Sequence, residues 1–296
     1  MKKLFTICFL LLRYTGLVYA QTDSSRLQIT ASGGYEQLNL KWSIAGNING
    51  EKPNILSELR WKNVAGSVIN GSLNWRLWKR VYAIAGYSRV FIKAGTVTDD
   101  DYNGDNRTNQ IYHDLFNGNL GFARHWLAGA GYCLVNKGPL TLCPYIGYSE
   151  NTQSLHILDR TGNSPDLNST YETRWKGPFI KVLATYALYD KIQFNGIINY
   201  QQSVYSAKAN WNFIQTFQHP VSYRHTANGY WLTAGLSCSY IFNHQLSFMI
   251  GAEQYYAKTG NGTDELFLIT GPSQKTQLNN VSLNGYRIFG GLILKY

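Results

Sequence analysis

Residues 192–201 read IQFNGIINYQ, and their order decides the fold. Ile192, Phe194, Gly196, Ile198 and Tyr200 alternate with Gln193, Asn195, Ile197, Asn199 and Gln201, so an extended chain carries one apolar face and one largely polar face. Only a strand sorts them this way. The period recurs in Leu246, Phe248, Ile250 and Ala252 against Gln245, Ser247, Met249 and Glu253. It recurs again in Tyr230, Leu232, Ala234, Leu236, Cys238, Tyr240 and Phe242 against Trp231, Thr233, Gly235, Ser237 and Ser239. A polar face of amides, serines and glycines suits a wet, hydrogen-bonded lumen. An apolar face that ends in Tyr and Phe suits lipid bounded by aromatic girdles.

Composition narrows the class from the other side. Of 296 residues 44% are hydrophobic and only 15% charged, which excludes disorder. Beyond residue 20 no apolar run approaches the roughly 18 residues a membrane helix needs. At the start, Lys2 and Lys3, an apolar run at 4–12 and Val18-Tyr19-Ala20 read as a signal peptide over 1–20, cleaved before Gln21. Loss of Lys2, Lys3 and Arg13 lowers the formal net charge from +10 to +7. An exported, mildly basic chain favours an anionic surface as partner and argues against nucleic acid.

Strands are expected at 27–44, 55–77, 81–94, 115–135, 140–158, 171–188, 192–207, 223–242, 245–258 and 280–296. Long connections (45–54, 95–114, 159–170, 208–222, 259–279) alternate with short ones at 79–80, 136–139, 189–191 and 243–244. The expectation is therefore all-β: a ten-stranded antiparallel transmembrane up-and-down barrel over 21–296 in the bacterial outer membrane, with long loops outside and both termini periplasmic. Strands longer than the 9–11 residues that cross a bilayer should project above it. Cys133 and Cys143 lie five residues either side of Gly138 in one expected hairpin, which places them opposite each other on one face, either bridged or as two free thiols. Cys238 falls on the lipid face. No metal-ligand spacing, nucleophile elbow, phosphate loop or CxxC pair occurs, so neither metal nor cofactor is expected.

Residues 54–75 (NILSELRWKNVAGSVINGSLNW), Asp99-Asp100-Asp101-Tyr102, residues 145–150 (YIGYSE), 174–180 (RWKGPFI) and 286–296 resemble, in order, segments of the omptins, ten-stranded outer-membrane proteases. The resemblance implies an extracellular active site in which one aspartate pair faces an Asp-His pair, with a water between them that attacks a peptide bond. Asp99 and Asp101 match the first pair. Asn210 and Asn212 stand where the second pair would be, and an amide cannot take a proton from water. Lys208 falls where the family carries an acid that attracts basic substrates, and His219 and His225 are the alternative bases a shifted loop would supply. Without the resemblance, Asp99, Asp100, Asp101 and Asp105 read as a solvated acidic loop.

Omptins also bind lipopolysaccharide on the barrel wall, and Tyr148, Glu150 and Arg174 match that site, while Thr152 replaces an arginine. Arg174 beside Trp175 also reads as an ordinary interface arginine. Lipopolysaccharide is thus the one bound lipid implied, with host or envelope macromolecules as partners through the loops. Three functions follow in order: a non-proteolytic surface, structural or ligand-interaction barrel; an endopeptidase with rearranged acid-base residues; and a narrow porin-like channel.

Overall fold

The computed structural model describes residues 25–296; the expected signal peptide lies outside the described residues. In chain order the strands are β1 (Leu27–Ile44), β2 (Ser57–Trp78), β3 (Val81–Gly104), β4 (Thr108–Asn117), β5 (Gly121–Tyr132), β6 (Val135–Lys137), β7 (Leu140–Leu158), β8 (Asn168–Tyr189), β9 (Ile192–Asn210), β10 (Tyr223–Ile241), β11 (Leu246–Leu266) and β12 (Gln274–Lys295). All pairings are antiparallel between neighbours, and β1 pairs with β12 to close the ring. The fourth place in that ring is shared: β4 pairs the upper part of β3 and β5 its lower part, so the barrel has ten staves. β6 is a short extension pairing only with β7.

The alternation read from sequence sorts the faces. Phe194, Ile198, Tyr200, Leu232, Leu236, Tyr240, Phe248 and Ile250 are exposed on the outer wall, where they meet lipid. Their neighbours Asn199, Gln201, Ser239 and Ser247 are buried inside. Within the lumen Ser149 Oγ donates to Gln201 Oε1 at 2.7 Å and Gln201 Nε2 donates to the Trp175 carbonyl at 3.0 Å. Above this polar zone Trp42, Trp61, Tyr171, Trp175, Tyr205 and Trp231 form a buried aromatic layer across the barrel. That layer separates a polar lower cavity of about 220 Å³ from a larger cavity at the long-loop end.

Four expected loops are shorter than the sequence suggests, 159–170 among them because β8 begins at Asn168. Residues 95–114, expected as a connection, continue β3 and β4 as a hairpin that turns only at Asp105–Arg107. Polar residues disguise this extension, because outside the membrane both faces of a strand can be polar. Glu58, fully buried, holds Lys41, Arg60 and Arg107, and Asp100 meets Arg60 at 3.4 Å, which ties the hairpin to β1 and β2; within the hairpin Asp100 also accepts from Gln110 Nε2 at 2.8 Å. β11 and β12 likewise run up to Leu266 and from Gln274, and β9 runs on to Asn210. With 22 residues each, β2, β8 and β12 stand well clear of a bilayer that 9–11 residues would cross.

At the short-turn end Gly131 pairs with Tyr145, and two residues further on each strand Cys133 and Cys143 are joined in a disulfide, packed inside against Tyr145 and Phe179. The turn beyond takes Gly138 at φ +62, where a Cβ would be strained. Cys238 is the free thiol among the described residues, in register with the outward Leu236 and Tyr240. Non-reducing mass spectrometry of residues 21–296 is therefore expected to find one alkylatable thiol, and three would reject the bridge.

The seam is held by charge. Arg287 of β12 lies opposite Glu36 of β1 and donates from Nε to Glu36 Oε2 at 2.7 Å, while Tyr255 OH donates to Glu36 Oε1 at 2.8 Å. Arg287→Met leaves Glu36 buried without its cation and is expected to cost about 3 kcal/mol. Urea unfolding in lipid vesicles measures this, with Glu36→Gln/Arg287→Met recovering part of the loss.

Candidate functional site

The long-loop end encloses a cavity of about 610 Å³. Its floor and walls come from strands that have left the membrane plus the connection between β9 and β10. Alternation brings Asp99 and Asp101 of β3 inward, since Val97 on the same row is buried and Asp100 between them faces out to His113, at 2.6 Å. Asp114 of β4, the direct cross-strand partner of Asp99, and Asp264 of β11 line the same cavity. Around these four carboxylates stand Ile44, Phe116, Ile157, Leu167, Trp211 and Phe217.

Crowding of acids beside apolar walls disfavours the charged form. Burial, followed by Asp101, Asp100 and Asp114, pushes the Asp99 carboxyl up to about 8. Asp101 is also raised, by burial first and Asp100 after it, against a hydrogen bond from Ser57 that favours its anion. Burial and mutual crowding thus favour the protonated form of Asp99 above the ordinary carboxylate range.

The residues matched to the second catalytic pair do not face this set. Asn210 accepts from His219 Nδ1 at 2.7 Å on the exposed rim. Asn212 Oδ1 accepts from the Asn168 amide at 3.0 Å and from Ser169 Oγ at 3.1 Å, and its Nδ2 donates to the Asp166 carbonyl at 2.9 Å. Those bonds tie the β9–β10 connection to the start of β8; it is Trp211, between the two asparagines, that lines the cavity. His225 lies beneath the floor, 0% exposed, with Nδ1 2.8 Å from the Tyr171 hydroxyl and Nε2 3.1 Å from Asp264 Oδ1. The Tyr171 hydroxyl continues to Tyr205 at 2.7 Å. Nδ1 is thus taken up by the Tyr171 hydroxyl, while Nε2 lies buried beside Asp264 without a hydrogen-bond partner.

On the outer wall Tyr148 and Arg174 are exposed and Glu150 is half-buried. Glu150 accepts from Thr152 Oγ1 at 3.2 Å and lies 4.0 Å from Arg124, whereas Arg174 turns to Glu172 at 3.1 Å, which Lys208 also meets at 3.2 Å. Thr152 has Arg124 and Arg174 as its two cross-strand partners. Asp114, Asp264, Trp211, Arg89 and Arg124 escaped the sequence reading. For the two arginines a signal existed, since each is a charge inside an otherwise aromatic lipid-facing row.

The family described as "Protochlamydia outer membrane protein" matches residues 30–292. The chain belongs to this family. It is a β-barrel of the outer membrane. No curated protein matches the sequence. The outer membrane protease OmpT from Escherichia coli is 16% identical, with a TM-score of 0.69 over 93% of this chain and 98% of that one, and shares the ten-stave barrel fold. The translocator domain of the autotransporter NalP from Neisseria meningitidis (10% identity, TM-score 0.38, 100% and 94% covered) and the P. putida toluene transporter TodX (9%, 0.31, 96% and 95%) are more distant barrels.

The acid set makes stability depend on pH. Asp99 keeps its proton in the folded barrel to about 8 and loses it near 3.8 when unfolded, so between these values folding takes up a proton. Its contribution is fully present below the lower value and is lost as pH rises through the higher one. Asp99→Asn is expected to be more resistant to urea than wild type at about pH 9, and to differ less between about pH 5 and about pH 9. An unchanged pH difference would show that Asp99 does not hold the proton.

Proposed function

We propose that this family member is a non-proteolytic surface barrel whose mouth cavity binds a ligand and whose loops engage host or envelope macromolecules. One observation carries the reading: Asp99 and Asp101 share a cavity with further acids and aromatic walls, and among the described residues no histidine lines it. Hydrolysis by a water between two side-chain pairs needs a base with a free lone pair on that water. The asparagines at the matched positions serve as loop ties, and His225 is enclosed. What the cavity offers instead is apolar surface above carboxylates, which suits an apolar group bearing a positive charge. Tyr148, Glu150 and Arg174 on the wall fit the proposal of lipopolysaccharide as the surrounding bound lipid, and cleavage of residues 1–20 as a signal peptide fits export to this membrane.

A second reading, an endopeptidase with rearranged acid-base residues, is favoured by one contact: Asp264, which lines the cavity, is paired with His225. The test separates the two. Refolded protein loaded with lipopolysaccharide is incubated with dibasic peptides beside an Asp99→Ala control. Loss of a positioned base lowers the rate by about 10² to 10⁴, so both proteins are expected to leave the peptide intact. Cleavage by wild type and not by the control would support the second reading, with His225→Ala as the next variant.

A further inference from the structure

Above the membrane one strand of the wall has a neighbour on one side only. β4 pairs with β3 along its length, whereas its bridge to β7 is the single rung Asn117↔Leu158. β7 ends at that rung, and residues 159–167 leave the sheet as a connection. Residues 108–115 are all exposed. In hydrocarbon such an edge would be prohibitive; in water it stands open to another strand.

The parity of the ladder fixes which backbone groups are free. Gly118 N–H donates to the Gly95 carbonyl of β3 at 2.9 Å. Antiparallel rungs alternate, which directs the N–H and C=O of Phe116, Asp114 and Tyr112 to β3 and those of Asn117, Leu115 and His113 away from it. Asn117 meets Leu158. The Leu115 N–H meets the side chain next to it, donating to Asp114 Oδ1 at 2.7 Å. A register shift at Ile111 ends the regular edge above His113. Side chains follow the same period: Tyr112, Asp114 and Phe116 line the mouth cavity, while His113 faces out to Asp100 and Leu115 is an exposed apolar side chain beside it.

A second copy of this chain does not fit the edge. Barrel strands tilt by about 35–45°, so the β4 edges of two barrels upright in one membrane cross steeply instead of running alongside each other. A free extended segment meets no such limit. Opposite Asp114 the added strand has a non-hydrogen-bonded position, where facing side chains lie closest, and a basic residue there pairs with the carboxylate. The residues on either side of it lie outside, next to His113 and Leu115, and suit β-branched apolar side chains. We propose that the β4 edge at His113–Leu115 binds an extended segment of a partner protein by antiparallel strand addition, with a basic residue facing Asp114 and apolar residues flanking it. The inference specifies how the outer end engages a macromolecule and rests on that part of the proposed function, not on the ligand given to the cavity.

The probe is a fluorescein-labelled peptide, Thr-Val-Thr-Val-Lys-Val-Thr-Val-Thr, titrated with the full refolded barrel in detergent and read by anisotropy. With its lysine facing Asp114, the valines beside the lysine take the hydrogen-bonded positions against His113 and Leu115. N-methylation of those two valines removes the N–H groups aimed at β4 and is expected to weaken binding at least about tenfold. N-methylation of the two threonines next beyond them, whose N–H groups point to the other edge, should leave binding unchanged. Neither change touches the folding of the barrel. Leu115→Pro removes an edge N–H without breaking a rung to β3, so it should weaken binding while heat-modifiable gel mobility stays that of a closed barrel. Glutamate in place of the lysine should weaken binding to wild type, and the difference between the two peptides should shrink in Asp114→Asn. Equal loss or no loss in the two methylated peptides overturns strand addition, as does failure of the parent peptide to bind or undiminished binding by a folded Leu115→Pro. A glutamate peptide that binds as well as the parent overturns the placement against Asp114. The mass of the recovered peptide keeps the two readings apart: cleavage would overturn the non-proteolytic function, whereas the methyl comparison decides the edge.

Discussion

A sheet immersed in hydrocarbon cannot leave an edge, because each unpaired backbone N–H or C=O there costs several kcal/mol. In this chain the last edge is closed by β1 against β12, whose ladder runs from Gln28↔Lys295 to Ile44↔Leu278. At its middle Glu36 faces Arg287, with Glu253 on the other side of the arginine at 3.6 Å and the Tyr255 hydroxyl on the glutamate. Ladder and charges specify the same register. A slip by one residue would turn Arg287 out to lipid and leave two carboxylates alone inside.

Closure in turn decides what the interior can be. Ten staves leave a lumen that side chains can fill, and here amides and serines fill the lower part while stacked aromatics fill the upper part. Trp61 stacks on Tyr171 at 5.3 Å and Trp231 on Tyr255 at 5.3 Å, so the layer is continuous with the seam. The mouth is a closed cup for that reason, and its floor is acidic because inward positions of β3, β4 and β11 converge there. The same packing that walls off the cup encloses His225, the imidazole nearest to the acids.

The two faces of the wall live in different media, and their charges are handled differently. Above the membrane Glu58 and Asp100 gather Lys41, Arg60, Arg107 and His113 into one paired network. Burial, with Arg60 and Arg107 beside it, lowers Lys41 to about 8, a sign of how tightly the cations are drawn together. At the aromatic belt, by contrast, Arg89 rests on the Phe91 and Phe122 rings with no ion pair among the described residues, and Arg124 reaches one carboxylate, Glu150.

Period-2 alternation by itself determined the fold class, the inward and outward faces and the bounds of strands such as β1 and β7, because a half-lipid, half-water environment writes itself onto every second residue. It failed at residues 95–114 and 259–279, where the strands leave the membrane and both faces become polar, so extension and loop look alike. Of the site, Asp99 and Asp101 were legible as a local motif on one strand. Asp114 and Asp264 were not, nor was the burial of His225, since these depend on which side chains from distant strands meet above the aromatic layer. The Arg89–Arg124 pair likewise needs the register between β3 and β5. Such convergence is set by ladder pairing and packing across the barrel, and only the tertiary structure decides it.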